Sequence, residues 1–187
     1  MLNDPGGREP APSPLRLVQA FVNTLDIENG VDELSDPGAL AGVLALDAPL
    51  RAADLRLAIE VREALRALAL ANNGLLVEGD ALATLERAAV QARFTIRFDA
   101  DARARLVPAA GGRDGALGGL LAVVHEAMAD GSWRRLKACR RDVCHWVYYD
   151  RSRNGSSTWC AMTVCGNRTN TRAYRRRAAT ARAVRHE

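Results

Sequence analysis

Residues 139–165, CRRDVCHWVYYDRSRNGSSTWCAMTVC, contain every cysteine of the chain and decide the fold of its last third. The cysteines form two pairs with identical internal spacing, and 15 residues separate the pairs. Each pair can form a knuckle, a short loop whose two thiolates converge on one ion, and the second pair can complete a tetrahedron. The spacing therefore predicts one structural Zn²⁺ per chain, bound by Cys139, Cys144, Cys160 and Cys165.

Two other interpretations of the cysteines stay open. Two disulfides would suit an oxidising compartment, and an iron–sulfur centre or a redox-released zinc would use the same ligands. His145 directly follows Cys144, but four thiolates saturate a structural zinc site, so we expect His145 to lie at the surface or to form hydrogen bonds. A saturated site leaves no position for water, which argues against hydrolytic metal catalysis.

The residues between and after the cysteine pairs predict a small finger. Residues 146–149 have strand propensity, and Asn154-Gly155 is a strong hairpin-turn signal. After Cys165, good helix formers continue without proline through Val184. Residues 132–187, called the finger below, are therefore predicted to form a treble-clef-like zinc finger: a knuckle, a β-hairpin and a basic C-terminal helix.

The helix after the last cysteine carries a stripe of arginines. At about 100° per residue, the helix arginines fall within roughly a third of the circumference: Arg168, Arg172, Arg175, Arg176 and Arg182. Such a face can neutralise several phosphates at once. The candidate nucleic-acid contacts are Arg153, Arg168, Arg172, Arg175 and Arg176. Arg168 could instead brace the knuckle. Asn167 and Asp150 are interpreted as residues that brace the loops around the metal, with Asn167 capping the turn at the helix start.

Charge is divided unevenly along the chain. The net charge is +4, but residues 134–187 hold 14 basic and three acidic groups, whereas residues 1–133 hold 12 basic and 19 acidic groups. A basic element joined to an acidic one is typical of a protein that binds a polyanion. The acidic part could also receive the basic helix within the same chain.

The part before the finger predicts a mainly helical α+β domain. Residues 1–14 contain four prolines and two glycines and are predicted to be a mobile arm. Residues 15–131, called the body below, show helical periodicity in five segments. These segments are residues 15–29, 35–46 with Ser35 or Asp36 as N-cap, 53–72, 81–91 and 116–131. Alternating residues in FTIRF (94–98), followed by ARLVPA, predict one short β-hairpin.

Polar residues near the end of the first predicted helix form a candidate small-ligand site. Asn23 and Asp26 are its members, with Glu28 and Asn29 beside them, although capping of the helix end is the favoured explanation of these residues. The body shows no paired catalytic carboxylates, phosphate-binding glycine loop or nucleophile motif, so we expect no enzyme. The chain also lacks a secretory signal and an apolar run of about 18 to 20 residues, so we expect a cytoplasmic protein without a membrane partner.

Two stretches carry a family resemblance. CRxxxCxWVYYDRSRN followed by WCxMxxCGNR is similar to the CGNR zinc finger family over about residues 134–177, with the name-giving motif at Cys165–Arg168. Upstream, AFVNTLD, REALRALALAN and GSWRRLKAC resemble the ABATE domain. Together they resemble stress-induced bacterial transcription regulators, which implies zinc binding by the four cysteines and DNA binding by the basic finger.

The expected function is therefore a bacterial transcription regulator that binds DNA through its finger. The body would serve as a sensor of a small-molecule effector or as a dimerisation unit. An RNA-binding finger, a finger that binds an acidic protein, and an enzyme or small-ligand protein that uses the body remain the alternatives.

Overall fold

A computed structural model describes residues 7–169 and 171. The helices of this part are α1 (Leu15–Val22), α2 (Pro37–Val43), α3 (Ala52–Ala71), α4 (Gly79–Ala92) and α5 (Gly112–Ala129). Antiparallel pairs join β1 (Leu25–Asp26) to β2 (Val31–Asp32), β3 (Phe94–Phe98) to β4 (Ala104–Pro108), and β5 (Leu136–Ala138) to β6 (Val147–Tyr149). A 3₁₀ turn (Trp133–Arg135) precedes β5, and a π-helical turn (Met162–Gly166) follows the finger's central loop. The predicted α+β fold with a C-terminal cysteine cluster is confirmed.

Local sequence signals explain the helix starts and the β3–β4 hairpin. Asp36 caps α2, accepting hydrogen bonds from the backbone N–H groups of Gly38 (2.8 Å) and Ala39 (2.9 Å), which confirms one of its two predicted caps. At the start of α3, Asp54 accepts a hydrogen bond from the Arg51 N–H at 2.7 Å. The alternating strand FTIRF pairs with residues 104–108 as predicted. These features follow from residues close together in sequence.

The hydrophobic core lies among α1, α3 and α5 and continues into the finger. Val18 on α1 and Val61 and Leu65 on α3 are completely buried. The same cluster contains Leu136 of β5 and Val147 of β6, both also completely buried. The predicted boundary at residue 131 therefore divides the sequence but not the core, because the finger's first two strands pack within the body.

Gly118 allows α5 to approach its neighbours closely. A Cβ atom at this position would lie 2.5 Å from the Ala92 Cβ at the end of α4 and 2.9 Å from the Pro108 Cβ at the end of β4. Both atoms belong to rigid parts of the structure, so they cannot move aside easily. By contrast, a Cβ at the neighbouring Gly119 would meet nothing within 4 Å. Gly118 is therefore where α4, β4 and α5 meet.

The first helix is shorter than predicted. Periodicity favoured a helix over residues 15–29, but α1 ends at Val22 and the chain turns into the β1–β2 hairpin. The Asn23 side chain bonds β6 rather than the helix end, and Asp26 accepts hydrogen bonds from the Asn29 N–H at 3.1 Å and the Asn29 Nδ2 at 2.7 Å. These contacts turn the chain within a segment whose apolar spacing alone favours a continuing helix.

The strand of the finger also has a different partner from the one predicted. The Asn154-Gly155 signal predicted a hairpin downstream of residues 146–149, but β6 pairs upstream with β5. Gly155, at a φ of +58°, instead forms a turn in which its N–H donates to the Ser152 carbonyl at 3.1 Å. The first knuckle therefore lies inside the β5–β6 hairpin rather than before it.

The predicted mobile arm needs correction at residues 7–14, because this segment packs against both parts of the protein. Ala11 is buried, and its N–H donates to the Gln19 Oε1 at 2.7 Å. Arg8 donates to the Ser157 Oγ at 2.8 Å and to the Trp159 carbonyl at 3.0 Å. Residues 7–14 have too few apolar side chains to pack by themselves. The hydrogen bonds from Arg8 to the finger hold this segment in place. Residues 1–6 lie outside the described residues.

Candidate metal centre

The four cysteine side chains converge on one small volume. All four are buried, and their Sγ atoms lie within 4.8 Å of one another. The Sγ atoms are 3.7 Å apart for Cys144 and Cys160 and 3.5 Å apart for Cys160 and Cys165. A disulfide bond is about 2.0 Å long. The edge of a tetrahedron with Zn–S bonds of 2.3 Å is about 3.8 Å. The cluster therefore has the donors and spacing of a four-thiolate metal site, consistent with zinc.

Short structural elements bring the cysteines together. Cys139 directly follows β5, and its N–H donates to the Trp146 carbonyl at 3.0 Å across the hairpin. Cys144 closes the first knuckle through its N–H, which donates to the Arg141 carbonyl at 2.9 Å. On the other side, the π-helical turn carries Cys165, whose N–H donates to the Ala161 carbonyl at 3.0 Å. The two ends of the 15-residue spacer thus meet at one point.

The thiols perturb one another strongly. Hydrogen bonds from Cys144 and Cys160 lower the pKa of Cys139 to about 2. Hydrogen bonding to Cys139, together with burial, raises the pKa of Cys160. Without a cation, burial and the closeness of the sulfurs oppose ionisation of several thiols at once, since negative sulfurs repel at this distance. A bound divalent cation removes this conflict and lets all four thiols ionise.

His145 lies beside the cluster without belonging to it. The group of potential ligands in the described residues contains the four cysteines and no histidine. His145 adopts a left-handed φ of +47°, and its carbonyl accepts a hydrogen bond from Arg66 at 3.1 Å. Burial lowers the pKa of its imidazole. The backbone of His145 thus connects the first knuckle to α3.

Asp150 anchors the loop between the two cysteine pairs. Its buried carboxylate accepts hydrogen bonds from the N–H groups of Ser152 and Ser157, each at 2.9 Å. It also forms an ion pair with Lys137 at 2.9 Å. Burial opposes ionisation, but hydrogen bonds from Ser152 and Lys137 outweigh it and lower the pKa of Asp150. Asp150 therefore holds the loop between the two cysteine pairs in place.

Lys137 supports the finger loop, a role that was not predicted from the sequence. It is the one lysine of the chain, in a protein whose other basic residues are all arginine. Its ammonium group is buried and also donates to the carbonyls of Gly155 and Ser157. Three acceptors thus surround a group with three donors. The only sequence signal was this singular lysine within the apolar strand β5.

Asparagine side chains attach the finger to the body. Asn23, proposed as a ligand-binding residue, is buried, and its Nδ2 donates to the Val147 carbonyl at 2.7 Å. Its Oδ1 accepts from the Val147 N–H at 2.9 Å, so it pairs with β6 like a strand neighbour. At the end of α3, Asn73 donates to the carbonyls of Ala138 (2.7 Å) and Thr158 (3.1 Å). Asn23 is therefore a structural residue, which corrects its predicted role.

Asp26, the second residue of the candidate ligand site, also has a structural role. Its carboxylate holds the turn to Asn29 described above, whereas the Asn23 side chain bonds β6. Asn72, whose Nδ2 donates to the carbonyls of Trp133 and Leu136 at 2.8 Å, and Asn73 were not predicted as contacts, because the dipeptide is typical of a helix end. The dipeptide itself was the sequence signal, since two consecutive side-chain amides at a helix end can donate hydrogen bonds to carbonyls of a neighbouring element.

The described arginines of the finger differ in their surroundings. Arg153 is exposed in the loop after β6. Arg168 donates to the Glu28 carboxylate of the body at 2.7 Å. Arg141, which was not predicted as a site residue, donates to both oxygens of Glu28 at 2.8 Å. Hydrogen bonds to Glu28 and Cys165 raise the pKa of Arg141.

The remaining predicted contacts fall near the end of the described chain. The backbone is helical at residues 167–169 and 171. Asn167 is exposed within this helical stretch and has no side-chain hydrogen bond to the residues described. Arg172, Arg175 and Arg176 lie outside the described residues, as does the predicted helix through Val184. Within the described ranges, no helix combines the length and apolar character needed to cross a bilayer.

Comparison with known families matches both parts of the chain. The family model of the CGNR zinc finger matches residues 135–178. The ABATE family model, described as "Putative stress-induced transcription regulator", matches residues 15–131. Their order along the chain is the order that the resemblance predicted, so both resemblances are confirmed. No curated protein matches the sequence.

Proposed function

Because the chain belongs to the ABATE family, whose model covers residues 15–131, we propose that it regulates transcription by binding DNA through its CGNR zinc finger. The observation that carries this proposal is the buried cluster of four thiols, which Arg168 and the arginine-rich end of the chain follow in sequence. A zinc finger followed by an arginine-rich segment can place several guanidinium groups along a phosphate backbone.

The metal of this finger is one structural Zn²⁺ per chain. Cys139, Cys144, Cys160 and Cys165 would hold it, because four sulfur donors at tetrahedral spacing suit zinc best among common intracellular metals. The ion would hold the two cysteine pairs together. Since thiolates fill every position, the site would hold no catalytic water, and we propose a function without enzymatic activity.

Arg153 and Arg168 are the described residues proposed to contact DNA, and Arg172, Arg175 and Arg176 would extend the contact along the chain. Arg153 supports this role by its exposure in a loop anchored by Asp150. Asp150 would support this surface through its hydrogen bonds rather than bind bases; for Asn167, exposed at the start of the helical stretch, bracing stays a prediction. The proposed site of action is the cytoplasm, where a bacterial regulator meets DNA and where thiols stay reduced.

A second function, binding of an acidic protein, is favoured by one observation. Arg141 and Arg168 already bind a carboxylate, that of Glu28. The same groups could bind acidic side chains of a partner, and the body could then act as a sensor or dimerisation unit. RNA is the third polyanion that the basic finger could take.

Metal analysis and salt-resolved binding test the proposal. We expect one zinc per chain by elemental analysis and binding of a random duplex DNA pool at about 50 mM salt, weakening steeply at higher salt. Arg153→Gln should weaken binding, whereas Arg97→Gln, an exposed change on β3, should weaken it less. Absence of a DNA complex at low salt would refute the DNA function, and preferential binding of structured RNA would support the third candidate.

A further inference from the structure

The Glu28 carboxylate of the body lies between two arginines of the finger. The Arg141 Nη1 donates to both carboxylate oxygens at 2.8 Å, and the Arg168 Nη1 donates to Oε1 at 2.7 Å. The Glu28 side chain is 27% exposed, whereas that of Arg141 is only 16% exposed. One anion is thus bound by two guanidinium groups at the junction of body and finger.

The metal cluster positions the two arginines. Arg141 lies in the first knuckle, two residues after Cys139, and Arg168 lies three residues after Cys165. The Nη1 of Arg141 is also 3.8 Å from the Cys165 Sγ, which ties the first knuckle to the second. Convergence of the cysteines therefore brings together two cations that are distant in sequence. The arrangement of Arg141 and Arg168 therefore requires that both knuckles are formed.

The body presents Glu28 on a well-anchored loop. Glu28 lies in the turn between β1 and β2, which Asp26 braces by accepting from Asn29. Beyond the turn, Asp32 accepts hydrogen bonds from two nitrogens of the buried Arg62 at 2.6 and 2.9 Å. The turn that carries Glu28 is therefore anchored to the body.

We propose that Arg141 and Arg168 form a phosphate-binding site for the DNA backbone, and that Glu28 fills this site as an internal competitor. The inference rests on the proposed DNA function. Guanidinium groups bind carboxylate and phosphate oxygens with the same charge-assisted geometry, so either anion fits between them. Arg168 is 58% exposed and open to an incoming phosphate.

Exchange of the two anions is feasible. Ion pairs near the surface contribute little net stability, so the loss of Glu28 from the arginines does not unfold the protein. A phosphate of DNA brings neighbouring charges that can contact further arginines of the finger, which a single carboxylate cannot do. The body thereby weakens DNA binding by its own finger, and any event that withdraws Glu28 strengthens it.

The test compares Glu28→Gln with Glu86→Gln. Both substitutions remove one negative charge from the body, but Glu86 is exposed on α4 and has no hydrogen bond or ion pair with the described finger residues. We expect Glu28→Gln to bind duplex DNA at least about 5-fold more tightly than Glu86→Gln. The slope of log K against log salt should steepen by about 1 to 2, because each freed arginine that meets a phosphate adds about 0.9. Adding Arg168→Gln to Glu28→Gln should abolish the gain while the metal content stays unchanged.

Titration with inorganic pyrophosphate separates this inference from the proposed function. Glu28→Gln should bind pyrophosphate more tightly than Glu86→Gln, as measured by calorimetry. If it does so while no variant binds DNA, the anion site stands and the DNA function fails. If the two variants are equal toward both DNA and pyrophosphate, the competitor role of Glu28 is overturned. A gain confined to RNA would overturn the assignment of the site to DNA.

Discussion

Replacement of Asp150 by asparagine tests the anchor of the finger loop most directly. The change keeps the shape of the side chain but removes the counter-ion of Lys137, whose side chain is only 6% exposed. An unpaired buried charge costs about 3 to 5 kcal/mol. The carbonyls of Gly155 and Ser157 still accept from the Lys137 ammonium, so we expect a loss near the lower end, about 3 kcal/mol.

A lysine-specific endoproteinase provides the assay, because Lys137 is the one lysine of the chain. Cleavage after Lys137 requires strand β5 to leave the core, so its rate follows the population of the opened form. A loss of about 3 kcal/mol raises that population on the order of 100-fold, and the rate of cleavage into two fragments should rise accordingly.

Two further variants control this experiment. Asp142→Asn makes the same chemical change at an exposed position of the first knuckle and should alter cleavage by less than about 3-fold. The double variant Lys137→Met/Asp150→Asn removes the charge that Asp150→Asn alone leaves unpaired, so it should recover part of the lost melting temperature. Equal cleavage rates for Asp150→Asn and Asp142→Asn, with metal still bound, would refute the buried-charge argument.

Three other substitutions test the metal centre, the body–finger contact and the core. Cys160→Ala should lose the metal and speed tryptic cleavage within residues 139–165 while helical circular dichroism is retained; the exposed Thr163→Ala should do neither. Asn23→Ala leaves the buried Val147 N–H without its acceptor, whereas the Val147 carbonyl keeps a hydrogen bond from Gln19 at 3.2 Å; the change should cost about 1 to 3 kcal/mol in urea unfolding, more than the exposed Asn29→Ala. Gly118→Ala should cost about 1 to 3 kcal/mol through overpacking, whereas Gly119→Ala should be neutral or stabilising in the same measurement.

Features fixed by local sequence could be predicted. The periodicity of α3, the alternation in β3, the Asp36 cap and the paired spacing of the cysteines each depend on residues within a few turns or a short loop. These local signals agree with the final structure because no distant contact competes with them.

Features fixed by distant partners could not be predicted. The end of α1 depends on Asn23, whose partner Val147 lies 124 residues later. The docking of residues 7–14 depends on Arg8, whose acceptors in the finger lie about 150 residues away, as for Ser157 at a separation of 149. β6 pairs with β5 rather than with a strand after Asn154-Gly155, because Leu136 of β5 is buried in the core. A local turn signal carries no information about that burial.

The core shared by body and finger also constrains how the protein can fold during synthesis. Leu136, Ala138 and Val147 fill the same cluster as the helices of the body, although all three are translated after residue 131. A nascent chain that has exposed only residues 15–131 lacks these side chains. At about 5 to 20 residues per second, the ribosome adds the missing strands about 1 to 4 s later. Until then, the emerging body exposes the apolar surface that these strands later cover, and chaperones can bind such a surface.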